Sequence, residues 1–146
     1  RESHHFLGLN DGGRVTVYET RGNQYTHVVL RGGTKPNYDT KSVKLCESQL
    51  EKEDLPKRIM IDCSHGNTNK DYTLQPKVAD NCINQVLKSN QSIIGFMLES
   101  NIEEGNQKIT PDLKDLKYGV SLTDACINWE STEKLLLRLA EKLRKR

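Results

Sequence analysis

The chain has 146 residues, 34% apolar and 29% charged, enough for one domain with a core and without the bias of a disordered tract. Lys and Arg total 22 against 20 Asp and Glu, a formal charge of +2, which predicts no strong attraction to nucleic acid. No apolar run approaches the roughly 18 residues of a membrane span, and the opening RESHHFLG lacks the pattern of a secretory leader.

The chain opens on Arg rather than Met, and so reads as though cut from something longer. Its first elements form a hairpin. FLGLN and RVTVYET are strand-like, and Asp11, Gly12 and Gly13 between them supply a tight turn. A second turn at RGN, Arg21 to Asn23, leads into THVVLRGG, a buried-strand run ended by two glycines. The spacing of Val43, Cys46 and Leu50 predicts a helix from about Thr40 to Lys52. RIMIDCSHGN is a second buried strand that breaks off into polar residues. QPKVADNCINQVLKS is then a helix, with Pro76 in its first turn and Val78, Cys82, Ile83, Val86 and Leu87 in one stripe.

SIIGFMLES is the next strand. Residues 101–117, with Gly105, Pro111 and many charges, predict an extended loop, and YGVSLTDAC a fourth strand. The chain closes on STEKLLLRLAEKLRKR, an amphipathic helix with Leu135, Leu136, Leu139, Ala140 and Leu143 inward and basic residues near its C-terminus. Trp129 reads as a packing residue ahead of it. Cys46, Cys63, Cys82 and Cys126 form no C-x-x-C pair, so reduced thiols and a cytoplasmic location are expected, with Cys63 and Cys126 as core filling.

Alternating strands and helices argue for an α/β fold with parallel strands. Their C-terminal ends deliver Arg31, His65, Glu99 and Asp124, the first three at intervals of 34 residues and the last after 25. In a barrel of such units these ends share one mouth. His, Glu and Asp together suit Zn, Mn, Fe or Co better than Ca or Mg. Arg31 beside Gly32 and Gly33 suggests an anion site, because guanidinium grips phosphate in bidentate fashion. Each residue taken singly has a plainer role: a loop hydrogen bond for His65, caps for Glu99 and Asp124, a surface charge for Arg31. Four at equivalent strand ends weigh towards a site.

HVVLRGG…PNY, MIDCSHGNTNKDY…QPKV, SIIGFMLESNIEEGNQ and KYGVSLTDACINWE, in that order, resemble the C-terminal part of the type I 3-deoxy-D-arabino-heptulosonate-7-phosphate (DAHP) synthases. The resemblance covers nearly the whole chain. It implies that residues 1–146 are the C-terminal half of one TIM (β/α)8 barrel, about four parallel strands with helices, preceded by an inserted hairpin over residues 6–24. It implies condensation of phosphoenolpyruvate with erythrose 4-phosphate, the metal-dependent first step of the shikimate pathway.

Matched to the family motifs, His65, Glu99 and Asp124 are metal ligands. Arg31 lies on the phosphoenolpyruvate phosphate, His65 beside that substrate, and Asp124 near the aldose. The family's cysteine ligand, further phosphoenolpyruvate-binding lysine and arginines, and its Lys-Pro-Arg-Thr/Ser segment belong upstream of the residues given.

The hairpin with Phe6 and Gly8 corresponds to the family's feedback pocket for an aromatic amino acid. Glycine at position 8 matches tyrosine-sensitive members, and leaves room for a phenolic hydroxyl. A homo-oligomer is expected. Two other readings stand beside this one. The first is a non-catalytic regulatory fragment that binds an aromatic amino acid. The second is another metal-dependent barrel enzyme such as a hydrolase, which would need an H-x-H pair or a bridging lysine. His4–His5 is not such a pair, since adjacent rings on a strand face opposite ways.

Overall fold

Ile59 and Ile61 have no solvent exposure, which places the run they belong to at the centre of the molecule. A computed structural model describes residues 1–145. Its elements are β1 (His5–Leu9), β2 (Val15–Glu19), β3 (Val28–Leu30), α1 (Thr40–Lys52), β4 (Ile59–Asp62), α2 (Gln75–Leu87), β5 (Ile93–Met97) and α3 (Trp129–Arg144). Strands β3, β4 and β5 form one parallel sheet in that order, with Leu30 opposite Ile61 and Ile61 opposite Phe96. The fold is mixed α/β, a parallel sheet covered by helices.

Helices α1 and α3 begin where a side chain satisfies free amides. Asp39 accepts from the backbone N–H of Lys41 (2.9 Å) and Ser42 (3.1 Å) to start α1. Val43, Cys46 and Leu50 are buried, as their spacing predicts. Pro76 lies in the first turn of α2, where its missing N–H costs nothing, and Val78, Ala79, Cys82 and Ile83 face the sheet. Asn128 caps α3 by accepting from the N–H of Ser131 at 2.9 Å. Asp80 ties α2 to α3: Arg138 donates two bonds to it at 2.7 Å, and Lys142 adds one at 2.5 Å. Arg138 chiefly, with Lys142, holds the Asp80 carboxyl down to about 2, against the raising effect of burial.

The hairpin β1–β2 is antiparallel, with Gly8 opposite Thr16. Its turn closes through Asn10, whose Oδ1 accepts from Gly12 and Arg14, both at 3.0 Å. Phe6 and Tyr18 stack with ring centroids 5.5 Å apart.

Three expectations are corrected. Residues 118–126 are not a fourth strand; they make isolated bridges only, Asn106 to Ser121 and Gly105 to Cys126, and Gly119 at φ +79° turns the backbone out of the extended region. The parallel sheet therefore has three strands among the described residues. Trp129 is the first residue of α3 and 59% exposed, not packed ahead of it. Leu135 and Leu139 are buried, with Thr132, but Leu136 and Leu143 are exposed and Ala140 is half-buried, because α3 meets the core along a narrower stripe than its five apolar positions predict. The extended loop over 101–117 is as expected, with one short 3-10 turn at Leu113–Asp115.

Candidate metal centre

Strand β4 ends on Asp62, a carboxylate only 2% exposed. A charge so placed needs partners, and two donors supply them. The backbone N–H of Ser64 reaches one oxygen at 2.8 Å, and His65 Nδ1 lies 2.8 Å from the other. An ionised carboxylate only accepts, so Nδ1 donates to it, and in the neutral ring that leaves the lone pair on Nε2. His65 itself is left-handed, at φ +49°. The N–H of Lys70 closes the turn onto the His65 carbonyl at 2.9 Å.

The free Nε2 lies 3.6 Å from Glu99 Oε1 and 3.5 Å from Asp124 Oδ2. Glu99 follows β5 and is fixed through its backbone. Buried Gln75, at the start of α2, accepts from the Glu99 N–H at 2.7 Å and donates to its carbonyl at 3.0 Å. Ser64 Oγ donates to Glu99 Oε2 at 2.6 Å, which leaves Oε1 to face the histidine. Asp124 comes from the loop misread as a strand. That loop is pinned to the one after Glu99: Asn106 donates to the Thr123 carbonyl at 2.8 Å, and Gly105 and Cys126 exchange backbone bonds at 2.9 and 3.1 Å.

One nitrogen and two carboxylate oxygens thus lie within 4.8 Å of one another. Ligands about 2.1 Å from a four- to six-coordinate ion stand roughly 3.0–3.5 Å apart, so small side-chain shifts suffice to close the set on a divalent metal. The donor types fit a transition ion. The cysteines do not enter: burial pushes the Cys63 thiol up, that of Cys82 up to about 12, and that of Cys126 up as well, so all three stay protonated.

Two adjoining cavities open here. One, of about 350 Å³, is lined by Ser64, His65, Lys70, Glu99, Asn106 and Asp124, with Ala125. The other, of about 550 Å³, holds Arg31, Gly32 and Gly33 and shares His65, Lys70 and Asp124 with the first. The structure therefore brings the four residues expected at strand ends to one place, three converging and Arg31 in the adjoining cavity, although Asp124 arrives on a loop. Phe6 and Gly8 lie apart on the hairpin.

The two loops meet at glycines. A Cβ on Gly32, at φ +76°, would stand 2.4 Å from the Gly66 carbonyl carbon. Asn67 fastens them: its amide donates to the carbonyls of Leu30 (2.9 Å) and Asp62 (2.7 Å) and accepts from the Asn37 N–H (2.7 Å). Asn37 in turn accepts from the N–H of Gly32 at 2.7 Å. Sequence reading missed Asp62, Ser64, Gln75, Asn67 and Lys70. Only the Asp62–His65 spacing carried a legible signal, since a carboxylate three residues before a histidine can reach its ring across a turn.

Known proteins resemble the chain along nearly its whole length. The Tyr-sensitive phospho-2-dehydro-3-deoxyheptonate aldolase of Escherichia coli is 49% identical over 142 residues, 97% of this chain and 40% of the relative. The phenylalanine-inhibited enzyme of Saccharomyces cerevisiae is 49% identical over 150 residues, again 40% of its length. The solved phospho-2-dehydro-3-deoxyheptonate aldolase of Francisella tularensis superposes with a TM-score of 0.86 at 43% identity, over 96% of this chain and 40% of that one. The chain thus spans about two fifths of the length of these relatives. The pattern that describes the DAHP synthetase I family matches residues 1–137, and the chain belongs to that family.

Proposed function

We propose that the complete protein condenses phosphoenolpyruvate with erythrose 4-phosphate and water to DAHP and phosphate, opening the shikimate pathway. In this reading the present residues are the C-terminal half of its (β/α)8 barrel, with the hairpin inserted before β3. The observation that carries it is the convergence of His65, Glu99 and Asp124 beside a cavity that holds Arg31. A Mn, Fe, Co or Zn ion held by those three side chains would supply Lewis acidity towards the aldehyde oxygen. Asp62 keeps the His65 proton on Nδ1, away from the ligand side. Arg31 grips the phosphate of phosphoenolpyruvate, and Asp124 lies nearest the aldose.

The family's fourth ligand and most of its substrate grip belong upstream, so residues 1–146 alone should form no DAHP. A homo-oligomer in the cytoplasm, inhibited by an aromatic amino acid, completes the proposal. Relatives named for tyrosine and for phenylalanine sensitivity support the effector class. Among the described residues no helix is long and apolar enough to cross a membrane.

Metal analysis of full-length His65→Ala, Glu99→Ala, Asp124→Ala and Arg31→Ala tests the site. The first three should lose metal and turnover. Arg31→Ala should keep its metal and bind phosphoenolpyruvate weakly. Full metal occupancy in both carboxylate variants would sink the ligand assignment.

A further inference from the structure

Glu99 offers an ion two oxygens, and the two are not alike. Oε1 stands 3.6 Å from His65 Nε2, whereas Oε2 accepts the Ser64 hydroxyl at 2.6 Å. That length is typical of a hydroxyl on an ionised carboxylate, a bond about twice as strong as a neutral one. Ser64 is 4% exposed, so bulk water is kept from the contact.

Both partners are held from behind. The Ser64 N–H donates to Asp62 Oδ1 at 2.8 Å, on the same buried carboxylate whose Oδ2 takes His65 Nδ1 at 2.8 Å. Asp62 thus sets the histidine directly and Glu99 at one remove, through Ser64. On the other side Gln75, with no solvent exposure, accepts from the Glu99 N–H at 2.7 Å and donates to its carbonyl at 3.0 Å. With its backbone and one oxygen fixed, the Glu99 carboxylate cannot turn about its last bond without breaking the Ser64 contact. Asp124 is the contrast, since it arrives on a loop with its side chain 57% exposed.

A carboxylate meets an ion through one oxygen or through both. Ligation by both needs two oxygens of similar donor strength aimed at one point. The hydroxyl proton on Oε2 draws charge from that oxygen and leaves Oε1 the better donor. Ligands from upstream residues do not alter this inequality, which lies within one carboxylate. We propose that Ser64 is a positioning residue that holds Glu99 as a one-oxygen ligand, and that it thereby favours a small ion of low coordination number. Zinc sites are of that kind, whereas larger hard ions readily take a carboxylate through both oxygens. One-oxygen ligation also leaves a coordination position free for the aldehyde oxygen. This rests on the metal ligation and the function proposed above.

Infrared difference spectra between metal-loaded and metal-free full-length protein test it. The gap between the two carboxylate stretches is wide for one-oxygen ligation and narrow for two. Isotope-labelled glutamate separates the Glu99 bands from those of Asp124. The zinc-loaded wild type should show the wide gap. It should narrow in Ser64→Ala and stay wide in Ser64→Thr, which keeps the hydroxyl. Metal titration should show zinc binding about 10- to 100-fold weaker in Ser64→Ala, with manganese, which accepts six ligands, at its wild-type affinity. A merely structural serine would weaken both ions alike and leave the gap wide. Either of those results overturns the inference, as does a narrow gap in the wild type, which requires no variant to fold. In each case DAHP formation by the wild type leaves the proposed function standing. Full metal occupancy in Glu99→Ala overturns the ligand assignment and this inference with it.

Discussion

Replacing Asp62 by asparagine changes one atom's hydrogen-bonding sense and almost nothing of size. In the native arrangement Asp62 accepts twice at 2.8 Å, from the Ser64 N–H and from His65 Nδ1. An asparagine has one acceptor and one donor group. If its oxygen stays on Ser64, its amide meets the Nδ1–H of His65, donor against donor. If the amide flips, the clash moves to the Ser64 N–H. The ring can escape the first case only by carrying its proton on Nε2, which removes the lone pair a metal needs. A buried donor left unmet costs about 1–3 kcal/mol, and losing a ligand's orienting carboxylate typically weakens metal binding 10- to 100-fold. These agree, since about 1.4 kcal/mol is one factor of ten. Calorimetric metal titration of full-length wild type and Asp62→Asn measures the effect, with thermal melts to confirm folding. Wild-type affinity in a folded Asp62→Asn protein would refute the reasoning.

Gly32→Ala forces a Cβ to 2.4 Å from the Gly66 carbonyl carbon at a left-handed φ, and should cost about 2–5 kcal/mol; denaturant melts showing less than about 1 kcal/mol would count against the close approach. Asp80 has a depressed pKa, so its contribution is full above the ordinary value of 3.8 and is lost as pH falls from there through about 2. Because Arg138 and Lys142 are substantially exposed, about 1 kcal/mol is expected, read as the stability gap between wild type and Asp80→Asn at about pH 6 closing at about pH 2. Tyrosine should inhibit the complete enzyme more strongly than phenylalanine or tryptophan, and stronger inhibition by phenylalanine would reverse that assignment. A Cβ on Gly8 would stand 3.0 Å from the Tyr18 ring, so Gly8→Ser should push Tyr18 off Phe6 and weaken the tyrosine response in the same assay.

What could be read in advance followed periodicity. Val43, Cys46 and Leu50 announced α1 because helix burial repeats every three or four residues, and the run at Ile59 announced the central strand because both its faces are covered. The segment ending in Asp124 misled for the converse reason. Its Val120 and Leu122 alternate like a strand, but alternation is local and pairing is not: at Gly119 the backbone turns before a ladder can form. His65, Glu99, Asp124 and Arg31 stood out as metal- and anion-binding residue types, and the structure gathers them, although Asp124 does not follow a strand. Gln75 was not, since its amide serves the backbone of Glu99, 24 residues on, and nothing near it in the chain says so. Lys70 looked like one surface lysine among many, and only the left-handed turn sets it apart.

The Asn67 amide uses both its hydrogens and its oxygen on three separate stretches of backbone. Few side chains can copy that. Leucine would strand all three groups; aspartate, nearly the same shape, would press a negative oxygen against two carbonyls; glutamine is one carbon too long. A saturation screen would therefore score position 67 as intolerant as any residue that touches substrate, and would tempt an engineer to credit it with chemistry it does not perform. The same one-atom change can arrive without mutation. Hydrolysis of this amide as a preparation ages would unfasten the Arg31 loop from the His65 turn in an intact chain whose cavity-lining side chains were all unchanged.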